Sequence, residues 1–454
     1  MYHAETWRQK IVLYISVMWP IMVTQLSLLA MNFIDTIMSG RVSTQDLAGV
    51  AIGSSLWMPV FTFTIGILLA VTPIVAQLTG SGEVNKISPA VNQAIYLSMV
   101  LGIVVILIGV VALDPILIFM DLETEVQRIA FHYLIGLSIG IIPLFVSNVL
   151  RNFFDGQGFT RITMLITVLA VPFNILFNYA LIFGHFGMPA LGGIGAGYAT
   201  GVTYWVILLF SILVAVGLPK VRHYRIFATW DKPSWKAWKE QLAIGFPIGL
   251  SIFFEATIFS VVTLLIGMMY STATIAANQI ALSFVSLIFM IPLSISMALT
   301  IVVGYSIGGK KLHSAKQYSL IGVIGALGIA IFNAAILILF REPIASLYTN
   351  DPEVIVLAGQ FFMIAVIFQL SDAAQASLQG TLRGYKDVTI PFYIAFVAYW
   401  IIGIPTAYLL AAYTPLGPFG FWVGITIGLS FAAAGFLTRL RFIQRKIEKG
   451  LLPE

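Results

Sequence analysis

The chain has 454 residues, 59% of them hydrophobic and only 9% charged, with a mean hydropathy of +0.98. That balance excludes a soluble globular domain and points to a polytopic membrane protein. The absence of cysteine excludes disulfides, iron–sulfur clusters and thiolate metal sites, and the five histidines show no metal-ligand spacing. The pI near 9.2 does not signal nucleic acid, because the Lys and Arg residues flank apolar segments instead of building one basic face.

Arg8 and Lys10 precede the first apolar run. That run is too long for a signal-peptide core and no small-residue cleavage site follows, so it reads as an uncleaved first helix. Twelve segments are long enough to span, near 11–38, 47–79, 88–113, 127–150, 162–184, 193–217, 240–269, 273–306, 315–340, 353–380, 388–412 and 418–440. Pro20, Pro172, Pro292 and Pro405 lie inside spans and are expected to kink them. An even count puts both termini on one side. All the Lys and Arg residues except Arg41, Arg128 and Arg341 then fall on that side, which the positive-inside rule makes cytoplasmic.

The longest loop, 218–239, falls at the middle of the chain and reads as a cytoplasmic linker, its Trp and Lys residues at the membrane interface. It separates an N-lobe (1–217, helices one to six) from a C-lobe (240–454, helices seven to twelve and a basic cytoplasmic tail). The halves look like copies. Residues 43–80 lie over 271–308 without a gap, matching Ser43, Thr44, Ala48, Ile52, Ser55, Phe61, Ile67, Ala70, Thr72, Val75 and Gly80 with identical partners. A weaker echo joins 150–160 to 378–386, with Gly158 over Gly384. Six spans in each half make this a parallel repeat, an arrangement that encloses a central cavity.

Among the 19 acids, the sequence places only Asp35, Glu255 and Asp372 inside spans, with no Lys or Arg inside a span to neutralise them. An ionisable group at that depth is costly and marks a functional site, here one for protons, Na⁺ or a cationic substrate. Asp35 shares a helical face with Gln25, Asn32 and Thr36. Asn174 and Asn178, one turn apart after Pro172, and Thr200 in the sixth span are candidates to face it. Such oxygen donors suit Na⁺ or a shared proton, not a soft metal. Glu255 is surrounded in sequence by Phe253, Phe254 and Phe259. Asp372 shares a face with Phe368, Gln375 and Gln379. Phe-rich and Met-rich walls suit varied apolar cations through soft packing and cation–π contact. No Walker A loop, HExxH or GxSxG motif is present, and no aqueous segment is large enough to hold ATP. The chain is therefore not expected to be an enzyme or to need a cofactor.

At NFIDTIMSGRVSTQDLAGVAIGSSLW (32–57), PFNILFNYALIFG (172–184), LGGIGAGYAT (191–200), FFEATIF (253–259), AANQIA (276–281) and SDAAQASLQGTLRGYKD (371–387), the chain resembles a multidrug and toxic compound extrusion (MATE) transporter of the NorM branch. The resemblance covers nearly the whole chain. It implies an all-α membrane protein whose twelve helices form two pseudo-twofold-related six-helix lobes in a V. It implies export of cationic amphipathic drugs in exchange for inward Na⁺ or H⁺ by alternating access. The family's N-lobe cation site falls on Asp35, Asn174, Asn178 and Thr200, and its C-lobe site on Glu255 and Asp372, with Phe368 where some relatives carry Tyr. Na⁺ is assigned to Glu255, Asp372 or Asp35; C-lobe acids, often missing from purely proton-coupled relatives, tilt the reading toward Na⁺. The substrate cavity is expected to include Gln25, Asn32, Phe253, Phe254, Phe259, Asn278 and Gln375. Expected partners are small organic cations and membrane lipid, for a monomer in the cytoplasmic membrane. The alternative is a lipid-linked oligosaccharide or lipid flippase of the same superfamily, disfavoured by the lack of a cationic residue within a span.

Overall fold

Helix ends follow the repeat seen in the sequence. In the computed structural model, which describes residues 3–451, Ser43 caps helix α2 (Thr44–Leu68) by accepting from the Asp46 amide at 3.0 Å. Its repeat partner Ser271 caps α11 (Thr272–Gly308) through the Thr274 amide at 3.4 Å. The repeated Ser-Thr pair is thus the start signal of two equivalent helices. The outermost residues of the two expected lobes, 1–2 and 452–454, lie outside the described range.

The remaining elements are α1 (Trp7–Gly40), α3 (Val71–Ser81), a short 3₁₀ turn, α4 (Ile87–Phe119), α5 (Thr124–Ser138), α6 (Ile141–Gly156), α7 (Thr160–Phe183), α8 (Gly193–Gly217), α9 (Pro219–Arg222), α10 (Trp235–Met269), α12 (Leu312–Ser346), α13 (Pro352–Gly384), α14 (Thr389–Phe396), a π-helix (Val397–Gly403), α15 (Ile404–Tyr413) and α16 (Phe419–Glu448). Among the described residues, 11 helices are long and apolar enough to cross a membrane, counting α2 with α3 and α14 with α15 as single spans. The pair α5 and α6, bent by 49°, makes the twelfth.

At two of the breaks a side chain satisfies backbone that the break frees, as a hydrocarbon surround requires. At the α5–α6 bend the Trp205 indole donates to the Ile139 carbonyl at 2.8 Å. Gly140 lets α8 approach there, since a Cβ on it would lie 2.6 Å from the Gly201 Cα. At the α2–α3 break Asn152 Nδ2 donates to the Leu68 carbonyl at 2.9 Å. The repeat partner of Asn152 is Gly380, and there α11 runs on unbroken. A Cβ on Gly380 would meet the Ser296 carbonyl oxygen at 2.3 Å, so α13 packs directly on the α11 backbone.

The weaker repeat is corrected by packing. A Cβ on Gly156 would meet Val75 at 2.9 Å, and one on Gly384 would meet Val303 at the same distance. Val75 and Val303 are themselves repeat partners, so Gly156, not Gly158, is the counterpart of Gly384. Gly158 instead sits in the turn after α6 with φ +84°, where the left-handed backbone favours glycine.

The chain divides into two compact units, Trp19–Gly249 and Met1–Met18 with Leu250–Glu454. The divisions fall inside α1 and α10, so residues 7–18 pack with the C-terminal unit and 235–249 with the N-terminal one. The expected linker begins helical at α9 and ends early, because α10 starts at Trp235. It is tied to α4: Asn92 Nδ2 donates to the Thr229 carbonyl at 2.6 Å, and Gln93 binds both the Lys232 carbonyl and the Ser234 amide at 2.9 Å. The apolar core of the C-terminal unit centres on Phe361, Phe362, Phe368, Trp422 and Phe436; that of the N-terminal unit centres on Phe145, Phe153 and Phe154.

Candidate functional site

In the N-terminal unit the expected constellation comes together around Asp35, which is 5% exposed. Asn178 Nδ2 donates to Asp35 Oδ1 at 2.6 Å and the Thr200 hydroxyl donates to Oδ2 at 2.5 Å. The chain of donors continues. Asn178 Nδ2 also reaches Asn174 Oδ1 at 3.2 Å, and Asn174 Nδ2 donates to Thr203 Oγ1 at 3.4 Å. Asn174 and Asn178, four residues apart, share a face of α7, and Thr200 and Thr203, three apart, share a face of α8. Thr203 was not singled out in the sequence, nor were Tyr133 and Tyr204, which lie within electrostatic reach of Asp35. Asn178 Oδ1 is buried without a partner. Gln25 is half-buried on α1, while Asn32 is exposed and contributes its backbone carbonyl to Thr36.

The C-terminal unit holds its acids differently. Asp372 on α13 is 6% exposed and Glu255 on α10 is half-buried. The two interact electrostatically, and neither side chain accepts a hydrogen bond among the described residues. Phe259 packs edge-on against Phe368 with ring centroids 6.0 Å apart, joining α10 to α13 one turn from each acid. Phe254 stacks among Phe392, Phe396 and Trp400, and Phe253 packs edge-on to Phe254. Gln375 is fully enclosed and donates to Gln379 Oε1 at 3.2 Å. Asn278 is also enclosed, its Oδ1 accepting from the Trp422 indole at 2.8 Å and its Nδ2 left without a partner. Gln369, which the sequence reading passed over, lines a cleft with Asp372 and Asn333 between α11, α12 and α13, and both of its amide atoms are unpartnered.

The expectation that no cation lies within a span is overturned. Arg383, inside α13 and only 5% exposed, lies within electrostatic reach of Glu255. It reads in sequence as part of a charged exit, LRGYKD, but α13 continues through it and packs against α11. The acid census also misses Asp155, buried in α6, which takes the Thr163 hydroxyl at 2.7 Å and pairs with Arg151 at 3.6 Å. No group of His, Cys, Asp and Glu suited to a multidentate metal centre occurs among the described residues.

Repeated membrane bundles, each with an acid buried inside it, define a secondary active transporter and not an enzyme. A family model described as MatE matches residues 20–180 and 247–409. The chain belongs to this multidrug and toxic compound extrusion family. It is 53% identical over 446 residues to the probable multidrug resistance protein NorM of Oceanobacillus iheyensis, covering 98% of this chain and 100% of that one. It is 51% identical over 445 residues to the protein of the same name from Halalkalibacterium halodurans, covering 98% and 97%. The fold matches the crystal structure of the eukaryotic MATE transporter AtDTX14 with a TM-score of 0.86, at 22% identity and over 98% and 100% of the two chains.

Proposed function

We propose that the protein is an antiporter of the cytoplasmic membrane that exports cationic amphipathic compounds in exchange for inward Na⁺ or H⁺ by alternating access. The observation that carries the reading is the division, between the two units, of the intramembrane acids that have no ion pair among the described residues: Asp35 in one, Glu255 and Asp372 in the other, Asp155 being paired with Arg151. An ion from outside occupies these carboxylates and favours release of the exported cation outward. The carboxylates then empty to the cytoplasm, where both termini lie. Asp35 with Asn174, Asn178 and Thr200 forms one coupling site, Glu255 with Asp372 the other, and the protein works as a monomer. Phe253, Phe254 and Phe259 offer aromatic faces to an organic cation. The flippase alternative needs a cation free to hold phosphate; the buried Arg383 lies within electrostatic reach of Glu255, and the half-buried Arg151 pairs with Asp155.

Efflux from proteoliposomes, driven first by a Na⁺ gradient at clamped pH and then by a pH gradient without Na⁺, tests the reading. Na⁺-driven efflux that disappears in Glu255→Gln or Asp372→Asn assigns coupling to the C-terminal acids. Efflux driven only by protons and lost in Asp35→Asn assigns it to the N-terminal one. Undiminished efflux from the triple variant at normal expression overturns the mechanism.

A further inference from the structure

The last but one span is interrupted by a π-helix, Val397–Gly403, flanked by α14 and α15. Such a segment carries an extra residue in the turn and is frequently found at functional sites. Its position relative to the acids is fixed by a hydrogen bond: the Trp400 indole donates to the Phe254 carbonyl at 3.2 Å, on the residue before Glu255. The Trp400 and Phe254 rings also pack edge-on with centroids 5.7 Å apart. Next to Trp400 is Tyr399, 1% exposed, whose hydroxyl is buried without a hydrogen-bond partner. That hydroxyl lies within electrostatic reach of Glu255, Asp372 and Arg383 together. An unpartnered phenol in a membrane interior is costly unless a ligand supplies the missing partner.

The charges in this cluster do not balance. Glu255 and Asp372 bring two negative charges and Arg383 one positive charge, so the ionised cluster keeps a single negative charge. Phe368, one turn before Asp372, offers no oxygen.

We propose that Tyr399 is a ligand of the C-terminal cation site, supplying a neutral oxygen to one monovalent ion held by Glu255 and Asp372, with Arg383 as the fixed charge that limits the site to that single ion. Tyr399 is buried within the π-helix, which the Trp400 bond ties to α10. The inference rests on the antiport reading above for the roles of the two acids.

The test is equilibrium binding of radiolabelled Na⁺ to purified full-length protein at fixed pH, in an Asp35→Asn background that removes the N-terminal acid. One saturable site is expected. Tyr399→Phe keeps the ring and should raise the half-saturating Na⁺ concentration about tenfold. Drug binding without Na⁺ should be unchanged, which a merely misfolded variant would not give. Glu255→Gln should abolish saturable binding. An unchanged half-saturation in Tyr399→Phe, with binding lost in Glu255→Gln, overturns the role of Tyr399 and leaves the acids in place. Unchanged binding in both Glu255→Gln and Asp372→Asn overturns the antiport reading as applied to this unit, and the inference with it. Two ions bound per protein in the Asp35→Asn background overturn the charge argument. Should Tyr399→Phe not fold, 3-fluorotyrosine placed at position 399 gives the same answer: its ¹⁹F resonance should move on Na⁺ addition, and a resonance that stays put overturns the proposal.

Discussion

Asp35 accepts hydrogen bonds from Asn178 and Thr200, whereas Glu255 and Asp372 accept none among the described residues. Both arrangements bury carboxylates in equivalent halves of a repeat, yet they compensate the burial by different physics. Around Asp35 the compensation is short-range and neutral, from amides and hydroxyls held in place by α7 and α8. Around Glu255 it is long-range charge from Arg383, while Asp372 has only the like charge of Glu255 beside it. A hydrogen-bonded carboxylate is already satisfied by the fold. A carboxylate with only a distant counter-charge still lacks ligands, and an ion can provide itself as one. The same contrast recurs lower in each unit, where Asp155 and Arg383 occupy matching repeat positions with opposite charge. In the N-terminal unit Asp155 has Arg151 and Thr163 as partners. In the C-terminal unit Arg383 has no ion pair among the described residues and lies within electrostatic reach of Glu255.

Substitutions can break this comparison in graded steps. The largest effect is expected from exchanging repeat partners at the α2–α3 break. Gly380→Asn forces a side chain onto the Ser296 carbonyl, 2.3 Å from where its Cβ must stand; this should cost about 3 kcal/mol, read as a large drop in thermal midpoint in detergent. Unaltered melting would mean that α11 and α13 separate easily. Asn178→Ala leaves Asp35 with one donor and should cost about 2 kcal/mol. Asp372→Asn should do the opposite in Na⁺-free buffer, stabilising by about 1 to 2 kcal/mol, because it removes an uncompensated charge beside Glu255. If both substitutions shift the midpoint in the same direction, the two halves do not differ as described. The smallest effect is expected at the helix starts. Ser43→Ala and Ser271→Ala each remove one cap and should cost about 1 kcal/mol. Equal losses would support the equivalence of α2 and α11, and a loss at only one would limit it.

Much of the molecule is legible along the chain because the relevant signals are local. Apolar runs of sufficient length specify the spans, and the Ser-Thr pair marks the start of both α2 and α11. Helical spacing puts Asn174 with Asn178, and Asp372 with Phe368, Gln375 and Gln379, on common faces. Resemblance to known transporters adds the pairing of Thr200 with Asp35, which spacing alone leaves open. Other features depend on contacts between helices far apart in sequence. Whether Arg383 belongs to an aqueous exit or a buried cluster depends on how far α13 continues and what packs against it. Asn278 is expected in the substrate cavity from the sequence, and that its oxygen is taken by Trp422, on α16, is visible only in the fold. Tyr399 is one aromatic among many until the fold buries it in a π-helix and Trp400 ties that segment to the residue before Glu255. Periodicity fixes which residues share a face of one helix. The rotation and depth of each helix against its neighbours decide which faces meet, and those are set by the tertiary packing.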